Sequence, residues 1–137
     1  MDQNNLSDKP NEYWKDKLTQ EQFHVLREKG TELPFSGKYD KFWQTGVFKC
    51  AACGTELFSS DTKYDAKCGW PSFWNAVDLK KIELREDNSL GMQRTEVNCK
   101  TCGGHLGHLF DDGPEPTRQR YCINSAALTF EKKQEPK

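Results

Sequence analysis

What this chain lacks narrows its class first. No stretch of the 137 residues approaches the ~18 consecutive apolar residues of a membrane span. The opening segment, MDQNNLSDKPNEYWKDK, is polar and carries no apolar core of a secretory signal, so a cytoplasmic setting is expected. Neither sign of charge is in excess. Lys+Arg of 20 against Asp+Glu of 21 leaves a net charge of −1, without the footprint of a nucleic-acid or anionic-membrane binder. Apolar residues are scarce too, at 34% with a mean hydropathy of −0.93. A core that small for its length calls for a staple.

Six cysteines are there to supply it. In a reducing compartment such residues point to metal binding or catalysis rather than to a disulfide framework. The length fits one domain, expected over 11–131, with a helical arm at 11–30 and a β core at 35–131. Polar tails are expected at 1–10 and 132–137. In the arm, Trp14 and Leu18 stand four apart, as do Phe23 and Arg27, with Leu26 three beyond Phe23. This spacing predicts short helices near 11–17 and 20–29 whose aromatics pack onto the domain. Thr19-Gln-Glu-Gln22 reads as a capping box, Gly30 falls where a helix ends, and His24 is read as solvated.

After Pro34 the texture changes to short runs, VFKC, ELF, IELR, GMQRTEVNC, LGHLF, RYCIN and AALTF, separated by Gly, Pro, Asn and Asp. That is the spacing of antiparallel strands and turns, not of alternating strands and helices. DDGPEP at 111–116 reads as a loop.

One local device occurs twice: Cys50-Ala-Ala-Cys53-Gly54 and Cys99-Lys-Thr-Cys102-Gly103, each with a leucine at the same offset. Two such turns complete a tetrahedral sulfur site suited to Zn²⁺, with a glycine free to take the positive φ that closes each turn. Four protein thiolates leave no open position, so the metal reads as structural; redox-active pairs and iron on the same sulfurs are the alternatives.

Cys68 in KCGWPSFW and Cys122 in RYCINS remain. An inert buried cysteine is the bland reading of either. Arg118 and Arg120 precede Cys122, and nearby cations lower a thiol pKa, while Asn124 and Ser125 offer hydrogen bonds. Two thiols outside the metal set read as a nucleophile and a resolving partner. His105 and His108 in GGHLGHLF are either structural or the natural proton donors beside a thiolate, and the glycines leave open which one points inward.

CGWPSF, GMQR, HLGH, DDGP and RYC-x-NSAAL, with both CxxCG turns, resemble the methionine-R-sulfoxide reductase B family over about residues 12–130. The resemblance implies a mainly β, tent-like fold of two packed antiparallel sheets, short N-terminal helices outside them, and one structural zinc on Cys50, Cys53, Cys99 and Cys102 away from the chemistry. It implies a monomer that reduces methionine-R-sulfoxide, protein-bound and free, to methionine. Cys122 would attack the sulfoxide sulfur and become a sulfenic acid, and Cys68 would close a Cys68–Cys122 disulfide that thioredoxin reduces. His108 is the first choice of proton donor, with His105 and Asn124 in support. Trp70 would wall the S-methyl group, and Phe73, Phe110 and Arg120 would line the site. Against it stand a zinc module presenting a surface to protein or RNA, which leaves Cys68 and Cys122 unexplained, and a zinc hydrolase or deaminase. The latter needs an open metal position, and the deaminase His-x-Glu motif is missing here.

Overall fold

A computed structural model of the chain describes residues 10–88, 91 and 93–132. Apart from Pro10 and Lys132, the expected tails at 1–10 and 132–137 lie outside the described residues, as does Met92 of the GMQR motif.

The helical arm forms as its spacing predicts, with α1 at Asn11–Lys17 and α2 at Gln20–Glu28. Helix α2 starts on a reciprocal cap: the Gln22 N–H donates to Thr19 Oγ1 at 3.1 Å, and the Thr19 N–H donates to Gln22 Oε1 at 2.9 Å. Trp14, Leu18, Phe23 and Leu26 are all buried, so both helices turn one stripe inward. The left-handed residue that ends α2 is Lys29, with φ 57°, and not Gly30. Helix α2 packs on strand β7 and on the 3-10 turn Ser125–Ala127. His24 stays exposed and pairs with Glu28 one turn on.

Nine strands follow among the described residues: β1 (Gly46–Cys50), β2 (Glu56–Ser59), β3 (Lys63–Tyr64), β4 (Ser72–Phe73), β5 (Ile82–Asp87), β6 (Arg94–Cys99), β7 (His105–Phe110), β8 (Arg120–Ile123) and β9 (Leu128–Lys132). They build two antiparallel sheets, one ordered β2-β1-β9 and the other β3-β4-β8-β7-β6-β5. Strands β3 and β4 are two residues each, and the sequence pattern shows neither; they exist because β8 offers β4 a ladder, pairing Cys122 with Ser72 and Tyr121 with Phe73. No helix among the described residues is long and apolar enough to cross a membrane.

Aromatic rings fill the space between the sheets. Phe48 and Phe58 from the small sheet meet Phe73 and Tyr121 from the large one, with ring centroids 5.2 Å apart for Phe48–Phe73 and 5.6 Å for Phe58–Tyr121. Phe58 and Phe73 stack at 4.5 Å and 16°. All four are essentially inaccessible to solvent, and full burial of one such side chain is worth roughly 1.5–3 kcal/mol. Phe73 therefore belongs to this core and does not line a site, contrary to the expectation from sequence. Alternation explains it: its pairing partner is Tyr121, whose side chain points to the opposite face from Cys122.

The β6–β7 register carries an irregularity that matters later. Val97 pairs with Gly107 but Asn98 pairs with His105, which leaves Leu106 as one extra residue on β7. His105 and His108, three apart, thereby fall on the same face, their ring centroids 5.4 Å apart.

Because Phe73 touches both sheets, Phe73→Ala is expected to cost about 3–5 kcal/mol. Urea unfolding followed by tryptophan fluorescence measures it; a loss below ~1 kcal/mol contradicts the ring's place in the core.

Candidate active site

Two constellations stand out, and the first lies where hairpins turn. Cys50 ends β1 and Cys53 precedes β2; Cys99 ends β6 and Cys102 precedes β7. Each turn is closed the same way. The Gly54 N–H donates to the Cys50 carbonyl at 2.8 Å and the Gly103 N–H to the Cys99 carbonyl at 2.7 Å, with φ of 81° and 77° at these glycines. The four sulfurs lie within 4.8 Å of one another. Cys50–Cys102 and Cys53–Cys99 approach to 3.7 and 3.5 Å, against an edge of ~3.8 Å for a tetrahedron of 2.3 Å metal–sulfur bonds. The donor set and its spacing fit a metal ion, and one hairpin from each sheet contributes half of it.

The second constellation is a cavity of about 330 Å³ on the large sheet, lined among others by Cys68, Trp70, His108, Phe110, Cys122 and Asn124. Strand register explains the convergence. Cys122 on β8 is cross-strand from His108 on β7 and from Ser72 on β4, and Phe110 is cross-strand from Arg120. Directly paired residues share a face. Gly107 makes the close β7–β8 approach tolerable, since a Cβ there would collide with the Cys122 carbonyl. Cys68 reaches in from a turn, its sulfur 3.5 Å from the Cys122 sulfur and 3.3 Å from Ser72 Oγ.

The thiols share their protons unevenly. A hydrogen bond from Cys122 drives the Cys68 thiol down to about 5 against the opposing effect of burial, with Ser72 also contributing. Cys122 is pushed above its ordinary value by that same bond and by burial. The sequence-based expectation that two arginines would lower Cys122 is thus corrected. Arg118 turns away at φ 63° and pairs with Glu115 on the surface. Arg120 does oppose the rise, but weakly. It is held by Asp112 through two bonds of 2.8 and 3.2 Å, and its guanidinium lies 4.3 Å from the centre of the Phe110 ring, propping that cavity wall.

The two histidines separate by partner. His108 lines the cavity, and its Nε2 is 2.8 Å from Asp87 Oδ2. His105 is buried behind it with Nδ1 2.8 Å from Glu96 Oε2. Burial holds His105 below the usual imidazole value despite that carboxylate. Burial would raise Glu96, but bonds from His105 and Asn98 outweigh it and leave the carboxyl lower than usual. His105 is accordingly a buried ring beside a carboxylate, its charged form disfavoured by burial.

One residue the sequence did not single out ties these parts together. Glu32 is buried; its carboxylate accepts the Ser125 and Ala126 N–H groups at 2.8 and 2.9 Å. Its own N–H donates to Asn124 Oδ1, and its carbonyl accepts from Trp70 Nε1, both at 3.0 Å. Asp87, Glu96 and Ser72 were missed likewise. Each sits in a strand where nothing but cross-strand register marks it.

The SelR domain family matches residues 18–132, a span that holds every side chain of both constellations. The chain belongs to this family, the methionine-R-sulfoxide reductase B family. Its SelR-domain relatives include the peptide methionine sulfoxide reductase MsrB of Methanosarcina mazei, 56% identical over 135 residues that cover 98% of this chain and 96% of that one. The MsrB of Leptospira interrogans is 55% identical over 124 residues, 90% and 95% of the two chains. Methionine-R-sulfoxide reductase B3, mitochondrial, of Mus musculus is 53% identical over 114 residues, 83% of this chain and 45% of that longer one. Helix α1 lies outside the SelR match, whereas α2 and Glu32 lie within it.

The proton arrangement predicts a labelling profile. Iodoacetamide modification of Cys68, read by peptide mass spectrometry, should rise with a midpoint near pH 5. Cys122→Ala removes the bond that lowers Cys68 most, so the midpoint moves up. A wild-type midpoint near the ordinary 9.0 contradicts the arrangement.

Proposed function

We propose that this chain reduces methionine-R-sulfoxide, in proteins and free, to methionine with Cys122 as nucleophile, repairing oxidative damage. The observation that carries the proposal is the thiol pair outside the four-cysteine cluster, Cys68 and Cys122, 3.5 Å apart in a cavity walled by Trp70 and Phe110 and faced by His108. The relatives' names, peptide methionine sulfoxide reductase MsrB and methionine-R-sulfoxide reductase, support the substrate and its configuration.

The Cys122 sulfur gives up its proton and attacks the sulfoxide sulfur; the sulfoxide S–O bond breaks as the protonated oxygen passes to the Cys122 sulfur, and the transient S–S bond breaks to release the thioether. Thiol plus sulfoxide becomes sulfenic acid plus thioether, a two-electron exchange. With Nε2 engaged by Asp87, Nδ1 is the His108 ring nitrogen left to serve the departing oxygen as proton donor. Trp70 and Phe110 supply apolar surface for the S-methyl group; sulfur–aromatic contacts are worth about 0.3–1.5 kcal/mol. Glu32 holds Trp70 and Asn124 in place, and His105 stands behind His108. The Cys68 thiol then displaces water from the sulfenic acid and forms the Cys68–Cys122 disulfide. Its thiolate tendency suits this role, and a dithiol protein of the thioredoxin type restores the pair by exchange.

The low Cys68 value also favours a reversed reading, with Cys68 attacking and Cys122 resolving. The cross-strand position of His108 opposite Cys122 favours the first. In the same reading zinc occupies Cys50, Cys53, Cys99 and Cys102 and closes the fold, its four positions all filled by sulfur. One catalytic domain over 11–131, acting as a monomer in the cytoplasm, completes the proposal; the thiol cluster needs such a reducing setting.

Cys122→Ser should abolish reduction while folding and bound metal persist. Cys68→Ser should release one methionine per chain and then stall with thioredoxin as reductant; equal steady-state rates with and without Cys68 reject its resolving role. The reversed reading predicts the opposite pattern. Resolved R and S sulfoxides, free and peptide-bound, test the chemistry directly, and consumption of S alone overturns it. For the metal, elemental analysis should give one zinc per chain, and Cys99→Ser should lose it and lower Tm by more than ~10 °C.

A further inference from the structure

A second cavity, of about 440 Å³, adjoins the thiol cavity, and neither the thiol chemistry nor the metal site uses it. Arg94 and Phe110 line both spaces, so the two meet across a shared wall. Its remaining lining is Glu86, Gln93, Thr95, Leu109, Asp111 and Gln119, two carboxylates with amide and hydroxyl groups around one apolar side chain. Thr95 is cross-strand from both Leu109 and Glu86, so the cavity wraps around the end of the large sheet at its β5–β6–β7 side. Arg94 also carries an unmet donor. Its terminal nitrogen lies 3.5 Å from Asp87 Oδ2, yet its Nε is buried without a hydrogen-bond partner among the described residues. The Arg94 side chain as a whole keeps 23% of its surface exposed, so its terminal nitrogens can meet an acceptor arriving at this wall.

We infer that the second cavity is the subsite for the polypeptide flanking an oxidised methionine, whose main-chain carbonyl meets the Arg94 wall while the sulfoxide side chain enters the thiol cavity. The inference rests on the reductase reading. The argument for a peptide is one of shape and chemistry. The thiol cavity needs to hold only the side chain that reaches Cys122, and free methionine sulfoxide has nothing to place beyond Phe110. A peptide carries a main chain rich in donors and acceptors, and it meets Gln93, Thr95 and Gln119 next along the surface. No group here reacts; the subsite adds contacts to bound substrate and transition state alike, so its effect falls mainly on KM.

Two variants narrow this cavity without touching the thiol cavity: Thr95→Trp on β6 and Glu86→Trp at an exposed position of β5. Each is compared with wild type on free methionine-R-sulfoxide and on a hexapeptide of alanines with one central methionine-R-sulfoxide. The peptide kcat/KM should fall about tenfold or more, chiefly through KM, while the free amino acid changes less than about twofold. Equal losses on both substrates, or no loss on either, overturn the subsite. Should Thr95→Trp fail to fold, Glu86→Trp carries the comparison. A readout independent of turnover keeps the two readings apart. Titrating the unoxidised hexapeptide into reduced protein should shift the Gln93 and Gln119 side-chain amide resonances, and their standing still overturns the subsite whatever the activity. Shifts in a protein that reduces neither sulfoxide overturn the reductase reading alone.

Discussion

The buried carboxylate of Glu32 is the joint on which the reacting side of this molecule depends. It takes the first two free N–H groups of the 3-10 turn that follows β8, where a negative charge is best placed. Burial raises its pKa and the two backbone bonds pull it back, so the group remains only because it is partnered. From that anchor the same residue fixes Asn124 through its N–H and Trp70 through its carbonyl. The segment just after the helical arm thereby sets the position of two walls of a cavity whose thiol lies on a strand ninety residues later in the chain.

The sulfur cluster is the complementary constraint at the other end. One of its hairpins belongs to each sheet, so an ion there joins the sheets at their turns while Phe48, Phe58, Phe73 and Tyr121 join them at their faces. From Gly104 at the exit of the second turn to His108 is ~13 Å at strand rise. That separation holds the sulfur cluster apart from the Cys68–Cys122 pair.

How far the chain could be read in advance follows the range of the interactions. The cap at Thr19 and Gln22 is local and legible, as are the two CxxCG turns, because three residues of spacing specify each. The thiol pair was legible by what surrounds it, since four other cysteines had a closed assignment. Long-range features were not. Glu32 meets partners 92 to 94 positions away, and nothing in TELPF marks it. Arg118 and Arg120 look alike beside Cys122, yet a single left-handed residue sends one to the surface while the strand keeps the other at the cavity. Phe73 was expected at the site only through the family resemblance; alternation on a two-residue strand sends it into the core.

Strand β7 runs in one hydrogen-bonding phase at its metal end and in the other at its thiol end, with Leu106 as the seam between them. A slip of one residue would take His108 off the cavity face and draw Cys102 out of the sulfur cluster in the same movement. Each end therefore polices the alignment of the other. The extra residue works as a register lock, one that can be satisfied in a single alignment only, and it couples correct assembly of the sulfur site to correct aiming of the imidazole.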